Sequence, residues 1–315
     1  MLFSKFKKYS SYVYCPYCDK LWPGWDVDLY KSHPEQKGPA IEFPGVCIKV
    51  FICFLQKTAQ QIVQNKLLLQ KEKMSSFVFM KIVFENLLIA SLEFLNHYEI
   101  KTLVKALEEI PWEVSQSGRR KQNFGPKCNF KKKKLQLGPF NGFPKSTQFV
   151  QQKFSEDPIL KTFQTVEQCT LEYNPIRGAS IDPHIDDCWI WGERIVTVNV
   201  MGNSVLTMTP YHGPVTKYNL ESVAEYSTVY KDLNFDKRNK TKSIEDIVVR
   251  LPMPEGSLMV LYGTARYKWE HCVLREDIKS RRICLAYREL TPPYLKNSSN
   301  NHEVRELLKR ASVFQ

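Results

Sequence analysis

Ile181-Asp182-Pro183-His184-Ile185-Asp186-Asp187 places an imidazole two residues before a carboxylate. On a β-strand alternate residues face the same way, so His184 and Asp186 are expected on one side and Ile185 in the opposite layer. His271 stands far downstream, where another β segment is expected to begin. Two imidazoles and one carboxylate are the facial ligand set of a non-haem Fe(II) ion, which leaves three positions open. A His-x-Asp pair also arises by chance, and a single histidine is more often a turn or interior residue, so the weight falls on what surrounds it. Asp187 is read as a residue that orients a ligand or meets substrate, or equally as a plain solvated carboxylate, and His212 is the one spare ligand worth testing.

Arg282-Ile283-Cys284-Leu285-Ala286-Tyr287-Arg288 supplies the next element. As a strand it sets Arg282, Cys284, Ala286 and Arg288 on one face and Ile283, Leu285 and Tyr287 on the other. The small residues leave room between two guanidinium groups, which fork onto carboxylates with paired hydrogen bonds as lysine cannot. Two arginines leaning inward are therefore expected to bracket a small dicarboxylate beside the metal. The bland alternative is a surface strand with two solvated arginines.

Short strands surround these motifs. Ile195 to Val200 alternates, with Thr197 and Asn199 on one face, and Ser204 to Thr209 repeats the alternation. Leu258 to Tyr262 is an apolar run behind the turn Pro254-Glu255-Gly256. A sandwich or barrel follows from such spacing. Residues 211–247 interrupt it as a polar surface loop. Upstream, Leu92, Leu95, Ile100, Leu103, Val104 and Leu107 recur at helical spacing inside a Leu/Lys/Glu-rich stretch, 46–110, read as mostly helical. The chain divides into 1–90, with a Cys-x-x-Cys and a helical segment; 91–165, a helix and a basic segment; 166–291, the β core; and 292–315, a C-terminal helix and tail.

With 315 residues, 43% of them hydrophobic, the chain has material for a sizeable core. A net charge of +12 draws it to acidic partners, whether nucleic acid, protein or membrane surface. Nine scattered cysteines do not form a secreted disulfide framework and fit reduced thiols in an intracellular protein. No signal peptide is expected, because the N-terminus lacks a continuous apolar core and cleavage site, and no membrane span, because the apolar stretch near 46–55 is short and that near 75–95 is interrupted by charges. Cys15 and Cys18 have half-zinc-site spacing with no second pair to complete it. Lys131 to Lys134, following Phe130 and near Arg119-Arg120-Lys121, reads either as a docking patch for phosphates or an acidic protein or as a solvated loop. Trp189 and Trp191 are read as alternating on one strand face with a packing role.

At these residues the chain resembles the AlkB family of Fe(II)- and 2-oxoglutarate-dependent dioxygenases, over residues 43–45 and 95–291. The matching marks are His184-Ile185-Asp186, His271, Arg282 with Arg288, and Tyr173. Longer strings, among them Trp112 to Gln122, Phe124 to Lys127, Trp189 to Arg194 and Ala265 to His271, resemble one subgroup of that family. Residues 47–90 have no counterpart there. The resemblance implies an α+β architecture with a mainly β core, a double-stranded β-helix (jelly roll) with flanking helices. It implies iron on His184, Asp186 and His271, and 2-oxoglutarate on Arg282, Arg288 and Tyr173, with O2 as the oxidant. It implies oxidative N-demethylation, for this subgroup of methyl-lysine in actin, with methylated adenine in nucleic acid as the alternative and a non-catalytic scaffold as a third reading. Asp187, Arg119, Arg120, Lys121 and Phe124 are the candidate substrate residues. Cytoplasm and nucleus are the expected compartments. Nucleic-acid-repair members often carry an Asn where this chain has Leu171 and an acid where it has Cys188, which weakens the case for a nucleobase substrate.

Overall fold

Which sheet each strand joins decides where the metal ligands meet. The computed structural model describes residues 93–225, 248–296 and 302–315, together with the short strands Tyr12–Cys15 (β1), Lys20–Pro23 (β2), Ala40–Glu42 (β3) and Leu88–Ser91 (β4). Glu113–Val114 (β5) and Arg120–Phe124 (β6) follow, then a hairpin of Lys127–Asn129 (β7) and Lys134–Gln136 (β8). Eight further strands build the core: Glu167–Tyr173 (β9), Ile181–His184 (β10), Trp191–Met201 (β11), Ser204–Pro210 (β12), Val248–Met253 (β13), Ser257–Leu261 (β14), Trp269–Val273 (β15) and Arg282–Leu290 (β16). One sheet has the order β4-β14-β11-β16-β9-β6-β5 and the other β10-β15-β12-β13-β3. From β9 onward the chain passes from the seven-stranded to the five-stranded sheet and back, pausing in the latter only for the β12–β13 pair. That winding is a double-stranded β-helix.

Period-two alternation gives the larger sheet two working faces. Val196, Val198 and Val200 of β11, Leu258 and Val260 of β14, and Ile283, Leu285 and Tyr287 of β16 form its outer face. They pack on Ile100, Leu103 and Leu107 of the helix His97–Glu108 and on Val150 and Phe154 of the helix Gln148–Phe154. Asn96 caps the first of these: its side chain accepts from the Glu99 N–H while Glu99 Oε2 accepts from the Asn96 N–H. The inner face carries Tyr173, Ile195, Met259, Leu261 and Cys284 against Leu206, Met208, Val249, Trp269 and Val273 of the smaller sheet.

Several expectations shift. The helix begins at His97, so Leu95 lies in the preceding turn and Leu92 falls outside the described residues. Leu88–Ser91, inside the stretch read as helical, is a strand paired antiparallel to β14. A β-edge thus forms where composition favoured a helix, because β14 offers an open backbone ladder. The rest of 43–87 and the tip of the Cys-x-x-Cys, with Cys18, lie outside the described residues, so the zinc expectation for Cys15 and Cys18 does too. The seven-stranded sheet also takes β5 and β6 from the basic segment 91–165. Residues 211–225 carry turns and a short 3-10 helix, and 226–247 are outside the described residues. At the C-terminus the helices Pro292–Lys296 and His302–Arg310 precede a tail whose Phe314 bridges to Phe143. Among the described residues no helix is long and apolar enough to cross a membrane.

Two buried ion clusters brace the larger sheet. Arg194 donates to Glu289 through Nε at 2.9 Å and to the Ile159 carbonyl through Nη1 at 2.7 Å, tying β11 and β16 to the 157–163 turn. Glu172, 1% exposed, accepts from Arg120 at 2.7 and 2.8 Å, from Arg281 at 2.8 Å, and from Arg177. Burial pushes its carboxyl up, but the hydrogen bonds from Arg120 and Arg281 and the field of Arg177 outweigh that and hold it at about 2.

Two outcomes follow from this architecture. Truncating Leu103, fully buried beneath the sheet, to Ala leaves a cavity and lowers stability by about 2–5 kcal/mol in chemical denaturation. Glu172 titrates lower in the folded than in the unfolded chain, so its stabilisation is complete above about 4.5 and is lost as pH falls towards about 2. Glu172→Gln therefore gives a lower unfolding midpoint near neutral pH and a shallower fall in acid. Parallel curves for the two proteins would show that the cluster is not the acid-sensitive element.

Candidate metal and co-substrate site

β10 is an edge strand containing Pro183, tolerated there because an edge residue need not donate to a ladder. Its pairing with β15 shifts register between Ile181 and His184, and His184 comes to lie directly opposite His271. The two rings sit 4.3 Å apart, centroid to centroid. The strand ends at His184, so Asp186 is carried by the following loop and not, as the i, i+2 reading had it, by the strand itself. Its carboxylate nevertheless returns to the same place. One ligand atom from each of His184, Asp186 and His271 lies within 4.8 Å of the others.

The protonation states suit a cation. His184 Nδ1 is 2.8 Å from the Asp182 carbonyl oxygen; as the donor there it leaves Nε2 with its lone pair free for a metal. Burial pushes the His184 imidazole down, and burial together with the His184 ring takes His271 down to about 3. Burial alone would raise the Asp186 carboxyl, but the Arg288 guanidinium and the two imidazoles hold it well below the usual range. Neutral imidazoles beside an ionised carboxylate are what metal binding requires. Asp186 Oδ2 is buried with no hydrogen-bond partner among the described residues, 3.5 Å from His271 Nε2. That orphaned oxygen, facing two imidazoles, fits a metal ion.

Arg282 lies at the other end of β16 from Arg288. It lies across from Tyr173 in the β16–β9 register, its Cζ 4.8 Å from that ring centre. Its Nε donates to Asn199 Oδ1 at 2.7 Å, while Asn199 Nδ2 donates to the carbonyls of Gly202 and Met253 at 2.7 and 2.9 Å. Arg282 is 1% exposed, and its Nη1 is buried without a hydrogen-bond partner among the described residues. A buried cation with an unused donor fits a carboxylate. Arg288 differs from the expectation of two free, bracketing arginines. Its Nε donates to Asp186 Oδ1 at 2.5 Å and its Nη1 to Glu167 Oε2 at 2.6 Å. Arg288 holds a metal ligand, and Arg282 keeps the open donor.

The remaining candidates scatter. Arg119 is buried beside Tyr173, 5.9 Å from the ring centre, at the same end of the site as Arg282. Arg120 faces the other way into the Glu172 cluster and 5.4 Å from the Trp112 ring. Lys121 and Phe124 line a groove of about 1150 Å³ that also takes in Lys127, Phe130, Glu167 and Cys169. Asp187 Oδ1 accepts from Asn219 Nδ2 at 2.8 Å and from the Trp189 N–H, which fastens the metal loop. His212 is exposed and lies outside the metal cluster. Trp189 sits in the turn before β11, so the expected alternation with Trp191 does not occur.

Asn199, Glu167, Tyr218 and Asn219 went unassigned by sequence reasoning. The Tyr218 carbonyl accepts from the Cys188 N–H at 2.9 Å, and its hydroxyl donates to Glu270 at 2.5 Å, beside His271. The supposed surface loop is thus part of the wall around the metal loop. Asn199 alone left a signal, a polar residue on the inner face of an otherwise valine-rich strand.

No family model matches the chain. A Mus musculus protein described as alpha-ketoglutarate-dependent dioxygenase alkB homolog 4 is 38% identical over 223 residues, covering 71% of this chain and 74% of its own. The Homo sapiens protein of that description is 38% identical over 224 residues, covering 71% and 73%. A Caenorhabditis elegans DNA N6-methyl adenine demethylase is 33% identical over 198 residues, covering 62% and 57%.

Asn199→Ala removes the acceptor that aims Arg282. The expected result is a rise in the 2-oxoglutarate KM of roughly 10-fold with kcat retained at saturation. An unchanged KM would show that Arg282 is aimed by its other neighbours.

Proposed function

The chain belongs to the alkB homolog 4-like Fe(II)/2-oxoglutarate dioxygenases, and from the resemblance of its sequence to that subgroup we propose that it oxidatively demethylates methyl-lysine in a protein, with actin as the candidate substrate. As a member of that group it is a dioxygenase using iron, 2-oxoglutarate and O2. Iron with its co-substrate supplies the oxidation that hydroxylates an N-methyl carbon, after which formaldehyde is lost from the amine. His184, Asp186 and His271 would hold the metal. Arg282 would take the far carboxylate of 2-oxoglutarate on its unused Nη1, with Tyr173 and Arg119 beside it. Lys121 and Phe124 are proposed for the substrate side, where they line a groove that also takes in Lys127, Phe130 and Glu113.

The position two residues after Asp186 carries the choice of substrate. Cys188 there is fully buried, its Sγ 3.4 Å from the Asp186 carbonyl and 3.6 Å from Arg266 Nη1, and offers no acid to read the edge of a base. Trp189 is packed edge-on against Phe130 and is unavailable as a stacking platform, which a flipped base requires. The second reading, demethylation of adenine in nucleic acid, draws on the half-exposed Phe130 beside Lys131–Lys134 and on the activity named for the C. elegans relative. The proposed compartments are cytoplasm and nucleus.

The test supplies iron, 2-oxoglutarate and O2 to the full chain and measures formaldehyde from methyl-lysine peptides and from N6-methyladenine oligonucleotides. Release from the peptides, lost in His184→Ala, is expected. Release from oligonucleotides alone would move the assignment to the second reading.

A further inference from the structure

Asp186 sits on a loop, so no strand ladder sets the rotation of its carboxylate. Arg288 sets it by donating to Oδ1, which leaves Oδ2 towards the imidazoles. A long arginine side chain has rotamer freedom of its own, however, and something must fix it. Glu167 does so. It stands directly opposite Arg288 in the β9–β16 register and accepts from Nη1 at 2.6 Å. Opposed charges on facing residues of an antiparallel pair are a favourable cross-strand arrangement. Glu167 is 8% exposed, and a Cβ on Gly125 would approach its Cγ to 2.9 Å, so the absence of a side chain at 125 lets the backbone close over it. Trp191 covers the guanidinium, 5.7 Å from Cζ to ring centre.

We propose that Glu167 is a positioning residue for the metal centre: acting through Arg288, it holds Asp186 so that a single oxygen is presented to the metal. The register of the larger sheet thereby fixes a ligand carried on a loop from the smaller one. Two carboxylates share one guanidinium, so Arg288 is spread between them instead of closing as a fork on Asp186 and covering both of its oxygens. A bidentate Arg288–Asp186 pair is the geometry that Glu167 prevents.

The test uses Co(II) on the metal-free full chain, read by titration and by visible absorption, without turnover. Glu167→Gln keeps the volume and one acceptor oxygen while removing the charge; it is expected to raise the Co(II) Kd about 10- to 100-fold and to alter the absorption band. Arg288→Lys, which has no second nitrogen to span both carboxylates, is expected to do the same. The double variant is expected to show no further loss, because one residue acts through the other. Glu289→Gln, which removes the buried carboxylate holding Arg194 on the helix-covered face of the same strand, is the structural control, expected to lower stability and keep the band. Glu167→Asp retains the charge, withdraws it by one methylene and reads the same arms where the Gln variant does not fold. A wild-type Kd and band in a folded Glu167 variant, or additive losses in the double variant, would overturn the proposal.

Discussion

A carboxylate kept ionised out of water is the constraint around which the rest of this fold is arranged. Burying Asp186 without compensation would raise its pKa until it was protonated and useless as a ligand. Compensation comes first from the Arg288 guanidinium, which arrives along β16, with Arg266 adding to it, while the imidazoles on β10 and β15 face the other oxygen. These elements belong to different sheets. The winding from β9 to β16, which passes between the sheets, brings them together. In this protein the jelly-roll topology serves electrostatics as well as packing.

The larger sheet is asked to do two incompatible things, and period-two alternation lets it do both. Its outer face is valine, leucine and isoleucine under two helices, supplying the burial that stabilises the domain. On the inner face are Asn199, Arg282, Arg288, Glu167 and Tyr173, mostly polar groups whose desolvation has to be offset pair by pair. A one-residue slip of β16 would exchange the two sets. The β11–β16 and β9–β16 pairings hold that register on both sides, and the Arg194–Glu289 pair anchors β11 at the first of its two register shifts, between Trp191 and Ile195.

What the sequence disclosed and what it hid divide along the same physical line. Period-based features were legible: the two faces of β16, the alternation of β11 and β12, and the Ile100, Leu103, Leu107 stripe, because each depends only on neighbours along the chain. The ligand set was legible by residue type, though for an incomplete reason. Strand geometry was expected to align His184 with Asp186, yet the strand ends at His184, and Arg288 restores the alignment. Contacts that depend on register between distant strands were hidden. Arg119 and Arg120 are adjacent and chemically alike, but one falls beside Tyr173 and the other on Glu172, a choice made by the β6–β9 pairing. Tyr218 and Asn219 looked like polar loop residues, and only the folded path brings them to Cys188 and Asp187.

The two arginines of β16 show how one residue type serves opposite ends of a site. Arg288 is held by two carboxylates, and its charge is spent on the metal ligand. Arg282 faces a neutral partner, the Asn199 amide, which fixes its direction without consuming its charge. Asn199 can serve because its own amide group is engaged by the Gly202 and Met253 carbonyls at the β11–β12 turn and the end of β13, and so does not rotate. A carboxylate in place of Asn199 would neutralise Arg282 and close the pocket to an anionic co-substrate. The amide aims a buried, unneutralised cation, and the cost of burying that cation is recovered when a carboxylate enters. The difference between Asn199 and Glu167, one amide and one acid on the two strands that flank β16, separates the arginine left with an open donor from the arginine held by two carboxylates.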